Sequence, residues 1–214
     1  MEADIDKVKK YYSNLDDNQI QDLLLFESQE LTTEAIQVLR EEVKSRGFDD
    51  DILKVLEIQF AGIKHPAAQK LITRIRNLPC PKCGKRMGNI NAARLREVVG
   101  VIVFMSESQK TVIACGECIS KAAKNSNIVN FIGGWWAVYS IFYTFRAIKN
   151  NFKYYHLELA AEPTEYFNEL ISRNLGILYM YFQEDEDLEA LVKNPEIFRG
   201  LNIRKAYLED HGKI

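Results

Sequence analysis

Hydrophobic residues in the first part of the chain recur every three or four positions, which is the spacing of one helix face. Capping residues predict helix starts at Asp16–Asn18, at Thr32 or Thr33, and at Asp49–Asp51, and Gly47 marks a helix end. The apolar positions of these helices are Ile20, Leu23, Leu24, Ala35, Val38, Leu39, Val43, Ile52, Val55, Leu56 and Ile58. The pattern predicts a small bundle of short antiparallel helices that serves as a scaffold or docking module.

The pattern changes from helical to extended in the middle of the chain. A short basic helix is predicted over 67–76, and two runs rich in β-branched residues follow at 97–104 and 111–114. The polar residues Ser106–Ser108 lie between the runs and are predicted to form a turn. This part of the chain is therefore predicted to form two antiparallel strands.

A stretch without charged residues occupies 128–145 and contains both tryptophans. Its length reaches the lower limit for a membrane span, but Gly133 and Gly134 predict a bend and basic residues flank both ends. Three interpretations follow: a core helix, a helix that lies in or re-enters the headgroup region of an anionic membrane, and a true span. The core interpretation depends on close packing of Gly133, Ala137, Ser140 and Thr144. The candidate membrane contacts are Trp135, Trp136, Tyr139, Phe142, Lys121, Lys124, Arg146 and Lys149.

Helical spacing returns in the last part of the chain, which is acidic. Thr164 is a predicted cap, Glu184–Asp187 reads as the acidic first turn of a helix, and Asn194–Pro195 ends that helix. The apolar stripe after Thr164 consists of Phe167, Leu170, Ile171, Leu175, Leu178 and Tyr179. A last short helix is predicted from Phe198, Leu201, Ile203 and Tyr207.

The four cysteines of the chain form two Cys-x-x-Cys pairs, Cys80 with Cys83 and Cys115 with Cys118. Two such turns supply the four sulfur ligands of a closed tetrahedral zinc site, at about 2.3 Å from the ion. A redox dithiol is the alternative interpretation. Because a closed site leaves no open coordination position, the predicted cofactor is structural Zn²⁺.

Two strands that hang from cysteine turns predict a zinc ribbon, so the predicted fold class is mainly α with a small β zinc ribbon in the middle (α+β) and helical N- and C-terminal segments. The predicted domains are an acidic helical module at 1–63, a basic zinc-ribbon region at 64–126, an apolar aromatic segment with basic flanks at 127–153 and an acidic helical region at 154–214.

Charge is segregated along the chain, although the formal net charge is only −2. Residues 64–157 carry 15 basic and 3 acidic side chains, whereas both flanking segments are acidic. Either the basic middle docks onto the acidic arms of its own chain, or it forms a surface for phosphates of nucleic acid or lipid. The candidate phosphate contacts are Lys70, Arg74, Arg76, Lys82, Lys85, Arg86, Arg94 and Arg96.

Sequence patterns of catalytic sites are missing. His65, His156 and His211 are far apart, and the chain has no phosphate-binding loop, nucleophile elbow or His-Glu-x-x-His motif. We therefore expect a protein that is not an enzyme. An acidic start without an apolar signal segment, with cysteines in metal spacing, predicts a cytoplasmic protein. The aromatic stretch with basic flanks predicts a position peripheral to the inner face of the membrane.

The order of these parts resembles a poorly characterised bacterial zinc-ribbon family. In that family a CPxCG turn and a second Cys-x-x-Cys turn precede a Gly-Trp-Trp element and a short run that ends in asparagine. The matching residues here are Cys80–Gly84, Cys115–Cys118, Gly134–Trp136, and Asn150 or Asn151. The run Tyr12–Gly47 is similar to a helical module attached to various bacterial proteins. The resemblance implies zinc binding and proximity to a membrane, with no known activity.

Three functional hypotheses remain open on this sequence. The leading one is a non-enzymatic zinc-binding interaction or scaffold protein at or near the cytoplasmic membrane surface, with anionic lipid and an unidentified protein as partners. The alternative is a zinc-ribbon nucleic-acid-binding protein that uses the basic stretch 64–96, although its aromatic residues lie outside that stretch. The third is a thiol oxidoreductase, for which a thioredoxin-like strand–helix pattern is missing.

Overall fold

The computed structural model describes residues 5–102, 104–137, 140–159, 162–199, 201–210 and 212. These residues form a mainly helical α+β fold with a small antiparallel sheet, as predicted. The chain divides into two compact units. The first comprises Met1–Ile72, Leu170–Glu184 and Phe198–Ile214, and the second comprises Thr73–Glu169 and Asp185–Ile197.

The N-terminal part of the first unit is helical as predicted, with side-chain caps at Asp16 and Thr32, whereas Asp49 precedes its helix without a side-chain cap bond. It contains α1 (Ile5–Ser13), α2 (Asp17–Asp22), α3 (Thr33–Ser45), α4 (Asp50–Ala61) and the beginning of α5 (Pro66–Asn77). The Asp16 carboxylate accepts a 2.8 Å hydrogen bond from the Gln19 amide, and the Thr32 hydroxyl accepts one from the Ala35 amide at 3.3 Å. All eleven apolar positions predicted for these helices are buried. The helical core of this unit is therefore confirmed.

The C-terminal part of the first unit differs from its prediction. It contains the end of α8 (Glu165–Arg173), then α9 (Leu175–Tyr181), β3 (Phe198–Arg199), β4 (Asn202–Ile203) and α11 (Lys205–Asp210). The last helix, predicted from Phe198 to Tyr207, is wrong at Phe198 and Ile203, which lie in the paired strands β3 and β4, and only α11 is helical. The buried Asn174 side chain donates to the Leu201 carbonyl and accepts from the Ile203 amide. These two bonds, at 2.7 and 2.8 Å, hold Leu201 and Ile203 beside the β3–β4 pair.

The second unit is built around a long hairpin of β1 (Ile90–Val101) and β2 (Phe104–Cys115), whose register runs from Ile90 opposite Cys115 to Val101 opposite Phe104. The predicted turn at Ser106–Ser108 is wrong, since these residues lie within β2 opposite β1. The connection falls at Ile102 instead, which has a positive φ of 53°. The Ile102 amide donates a 2.8 Å hydrogen bond to the Trp136 carbonyl, so a tertiary contact fixes the hairpin end.

Two helices, α6 (Gly116–Gly133) and α7 (Ser140–Phe152), contact β1, and α10 (Asp185–Lys193) contacts β2. The bend predicted in the apolar stretch is therefore confirmed: the stretch is divided between α6 and α7. A Cβ added to Gly134 would lie 2.3 Å from the Thr144 hydroxyl, so the two helices approach closely. In the described part of the chain, no helix is long and apolar enough to cross a membrane.

Asparagine side chains cover the free edge of β1 in the place of a third strand. Asn130 of α6 accepts from the Val98 amide at 2.7 Å and donates to the Arg96 carbonyl at 2.9 Å. Asn151 of α7 accepts from the Arg96 amide at 2.9 Å and donates to the same carbonyl at 2.8 Å. Both asparagines are fully buried. Because unpaired backbone groups are costly in a core, these bonds anchor the helical pair to the hairpin.

Candidate metal centre and exposed apolar tip

The first cysteine pair lies on a tight turn between α5 and β1. The Cys80 amide donates to the Lys85 carbonyl at 2.9 Å, and the Gly84 amide donates to the Cys80 carbonyl at 2.8 Å. Gly84 has a φ of +72°, which a side chain would oppose. The Lys82 amide lies 3.4 Å from the Cys80 sulfur and donates to it. The turn therefore directs backbone donors at a sulfur atom.

The second cysteine pair lies where β2 meets α6. Cys115 is the last residue of β2 and the residue before α6, and Cys118 lies in the first turn of that helix. Cys115 pairs with Ile90, the first residue of β1, so the base of the hairpin brings the two pairs together. The second pair thus occupies a helix start, where the helix dipole favours negative charge on sulfur.

The four sulfur atoms of Cys80, Cys83, Cys115 and Cys118 all lie within 4.8 Å of one another, so the cluster could hold a metal ion. The distance between the Cys83 and Cys115 sulfurs is 3.8 Å. Four bonds of about 2.3 Å in tetrahedral geometry place sulfur atoms about 3.8 Å apart. Cys80 and Cys115 are buried, Cys118 is half-buried and Cys83 is exposed.

Backbone hydrogen-bond donors favour the thiolate form of Cys80. Burial opposes ionisation of Cys80, but hydrogen bonds from the amides of Cys115, Lys82 and Cys83 outweigh it and lower the pKa of Cys80 to about 7. Burial raises the pKa of Cys115, and burial together with the neighbouring thiols raises the pKa of Cys118. Negative charge on several adjacent sulfurs is unfavourable without a cation.

The candidate phosphate contacts do not form one free cationic surface. Arg74 pairs with Asp185 at 2.7 Å, Arg86 approaches Glu189 of the same helix, α10, at 3.6 Å, and Arg96 pairs with Glu107 at 2.8 Å. These contacts favour the interpretation in which basic residues dock onto acidic groups of their own chain.

The other phosphate candidates lie on α5, on the first cysteine turn and on β1. Lys70 is exposed on α5, and Arg76 lies nearer the end of that helix. Lys82 and Lys85 are exposed beside the first cysteine pair. The Arg94 guanidinium lies over the ring of Tyr166, 4.8 Å from its centre.

The candidate membrane contacts fall on α6, α7 and the bend between these helices. Trp136 is 70% exposed and Phe142 is 82% exposed, whereas Trp135 is half-buried between Phe131 and Phe145. Tyr139 lies outside the described residues. The basic candidates Lys121 and Lys124 are exposed on α6, and Arg146 and Lys149 are exposed on α7.

The charge-free stretch 128–145 has a buried face and an exposed face. Its small residues Ala137, Ser140 and Thr144 are buried, as close packing requires, while its described large side chains other than Trp135 are exposed. The stretch 128–145 therefore combines buried small residues with exposed aromatic side chains.

The end of the hairpin contributes a second set of exposed apolar residues that the sequence reasoning missed. Residues 98–106 and 125–145 contain no charged side chain, and their described residues form what we call the apolar tip. Its exposed large apolar residues are Val99, Val101, Ile102, Phe104, Met105, Ile128, Val129, Phe131, Ile132, Trp136, Ile141, Phe142, Tyr143 and Phe145. The sequence does show a second charge-free run, 98–106, but its β-branched composition is that of an ordinary buried strand.

The two halves of the apolar tip contact each other. Ile102 forms a parallel bridge with Ala137, and a Cβ added to Gly100 would lie 2.9 Å from the Ala137 side chain. Lys121, Lys124, Arg146 and Lys149, which we call the basic collar, lie on the two helices beyond the tip. Clustered apolar exposure of this kind marks a surface for a partner or a membrane.

No family model, curated protein or solved structure matches this chain. The resemblance to a bacterial zinc-ribbon family therefore stays a prediction, and the sites rest on the geometry of the chain itself.

Proposed function

We propose that this chain is a non-enzymatic, zinc-stabilised interaction module that docks on the surface of an anionic membrane through its apolar tip. The observation that carries the proposal is the clustering of exposed large apolar side chains from two separate elements at a single charge-free end, next to the basic collar. The cysteine cluster has a structural role in this proposal, because it closes the opposite end of the same hairpin.

The assignment of zinc rests on the ligands. Four thiolates are soft donors, and zinc accepts four of them in a closed tetrahedral site. The 3.8 Å distance between the Cys83 and Cys115 sulfurs agrees with that geometry. A closed site offers no position for substrate, which supports a role in stability rather than catalysis.

The spacing between the apolar tip and the basic collar suits shallow insertion. Arg146 lies six residues from the start of α7 and Lys124 nine residues from the end of α6, which is about 9 and 14 Å along the helices. Interfacial elements bury their apolar face about 5–10 Å into the boundary between headgroups and acyl chains. At that depth the collar lies among the headgroups, where each cation contributes about 1 kcal/mol with anionic lipid.

Substituting apolar residues of the tip tests the membrane proposal. The triple variant Phe104→Ser, Trp136→Ser and Phe142→Ser removes three exposed side chains, and each aromatic side chain transferred from water contributes about 1.5–3 kcal/mol. We expect at least a hundredfold loss of affinity for vesicles that contain phosphatidylglycerol, measured by sedimentation of the zinc-loaded chain. Wild-type binding should weaken with salt and shift tryptophan emission to the blue.

The matched control is Phe60→Ser, which removes an exposed aromatic side chain from the first unit. It should leave vesicle binding unchanged. A wild-type protein that ignores anionic vesicles at low salt, or a triple variant that binds as well as wild type, would show that the tip does not dock on lipid.

A further inference from the structure

The second unit contains a surface pocket of about 420 Å³ whose lining carries charges of both signs. Arg94 and Arg96 reach it from β1 and Lys153 from the residue after α7, whereas Glu165 and Glu169 come from α8. The volume lies within the range of small-molecule sites in proteins. The distribution of charge therefore suggests which class of molecule the pocket accepts.

Two of the three cations in the lining have no carboxylate partner among the described residues. Arg96 pairs with Glu107 at 2.8 Å, whereas Arg94 and Lys153 form no ion pair with any described residue. The Arg94 guanidinium is instead held over the Tyr166 ring, which is itself fixed by a 2.8 Å hydrogen bond with Thr111. Stacking restricts the guanidinium and leaves its edge N–H donors for a ligand.

A carboxylate and a hydroxyl complete the set of polar groups. Glu165 is exposed and forms no ion pair with a described residue. Burial raises the pKa of Tyr154, so its hydroxyl stays protonated and can donate, and the charges of Arg94 and Glu165 both act on this hydroxyl. Positive and negative groups therefore lie near one buried donor.

We propose that this pocket binds a small zwitterion of the phosphoethanolamine class, with phosphate oxygens toward Arg94 and Lys153 and the ammonium toward Glu165. A guanidinium fork and an ammonium both suit phosphate oxygens, and a plain anion would meet the α8 carboxylates unfavourably. The ligand has two sources: a soluble phosphate ester, or the headgroup of an ethanolamine phospholipid. The lipid source rests on the proposed membrane docking, and it is favoured by the place of Arg96, which lines the pocket two residues before the apolar tip begins.

Titration of the zinc-loaded full chain with three soluble probes tests the charge requirement. Phosphoethanolamine carries both charges, glycerol phosphate carries the anion and ethanolamine carries the cation. We expect phosphoethanolamine to bind at least about tenfold more tightly than either other probe, since each charge-assisted contact is worth about that factor. Arg94→Gln and Glu165→Gln should each weaken it about tenfold, whereas Lys110→Gln, which removes an exposed cation outside the pocket, should not.

Binding to vesicles distinguishes a lipid headgroup from a soluble phosphate ester as the ligand. If vesicles with phosphatidylethanolamine and phosphatidylglycerol bind more tightly than vesicles with phosphatidylcholine and phosphatidylglycerol, and Arg94→Gln and Glu165→Gln abolish the difference, the ligand is a headgroup. If only the soluble probe binds, the ligand is a free ester. The triple tip variant should lose vesicle binding but retain phosphoethanolamine binding, so failure of the membrane proposal remains distinguishable. Equal binding of glycerol phosphate, or no binding in either arm, overturns the pocket assignment.

Discussion

Cys115→Ser is expected to abolish stoichiometric zinc binding and to open the base of the hairpin. Cys115 is fully buried, joins β2 to α6 and lies opposite the first residue of β1, so its loss removes a ligand and the contact between the two cysteine pairs. Binding of structural zinc supplies about 10–16 kcal/mol in small zinc domains, which is folding free energy for the segments that it connects. Zinc quantification should fall from about one ion per chain, the content of a single four-thiolate site, to near zero.

Amide hydrogen exchange should show which segments lose stability in Cys115→Ser. Amides in 78–120 should lose protection in Cys115→Ser, whereas amides of α3 and α4 should keep theirs, because the first unit has its own buried apolar core. Met87→Ser is the matched control, since Met87 is 49% exposed in the same connection and offers no ligand in the cluster. Purified wild-type protein with no bound metal and two disulfides among its four cysteines would refute the zinc assignment.

Local pattern predicted the elements whose residues are fixed by their immediate neighbours. The helix starts at Asp16 and Thr32 follow from side-chain caps within three residues, and the apolar spacing after each start decides which face is buried. The cysteine pairs were predictable for the same reason, because a Cys-x-x-Cys turn identifies two candidate ligands and brings their sulfur atoms together locally. These features depend on residues that are close together in the chain, which is the information that a local pattern contains.

Distant contacts decided the features that the sequence did not reveal. The hairpin turns at Ile102, instead of at Ser106–Ser108, because the Ile102 amide bonds to the helical bend at Trp136. β3 and β4 form where a helix was predicted, and the buried side chain of Asn174 bonds to the backbone of Leu201 and Ile203 there. A local pattern contains no information about such partners.

The apolar tip has the same explanation. Val99, Val101 and Phe104 read as members of a buried strand, since β-branched and aromatic residues are typical of one. Along β1, Val98 and Gly100 are buried and alternate with Val99 and Val101, which lie on the opposite face of the strand and are exposed, as Phe104 is at the start of β2. The cysteine cluster and the apolar tip therefore lie at opposite ends of the same hairpin.

Asn130→Leu is expected to destabilise the zinc-loaded protein by about 2–4 kcal/mol, because leucine keeps much of the side-chain volume but can neither donate nor accept. The Val98 amide would then be buried without its 2.7 Å partner, and the Arg96 carbonyl would lose one of its two asparagine donors. A buried unsatisfied backbone group costs about 1–3 kcal/mol by itself. The free energy of unfolding, measured in urea with zinc present, reports the loss.

Asn125→Leu is the control for this substitution, because Asn125 lies on the same helix and is exposed. Its effect should stay within about 0.5 kcal/mol, as for most surface substitutions. Val98 is the first residue of the hairpin half of the apolar tip, so Asn130→Leu should also loosen the tip. The affinity of the folded variant for vesicles should therefore be lower than that of the wild type. Equal unfolding free energies for the two variants would mean that the asparagine bonds along β1 do not anchor the helical pair.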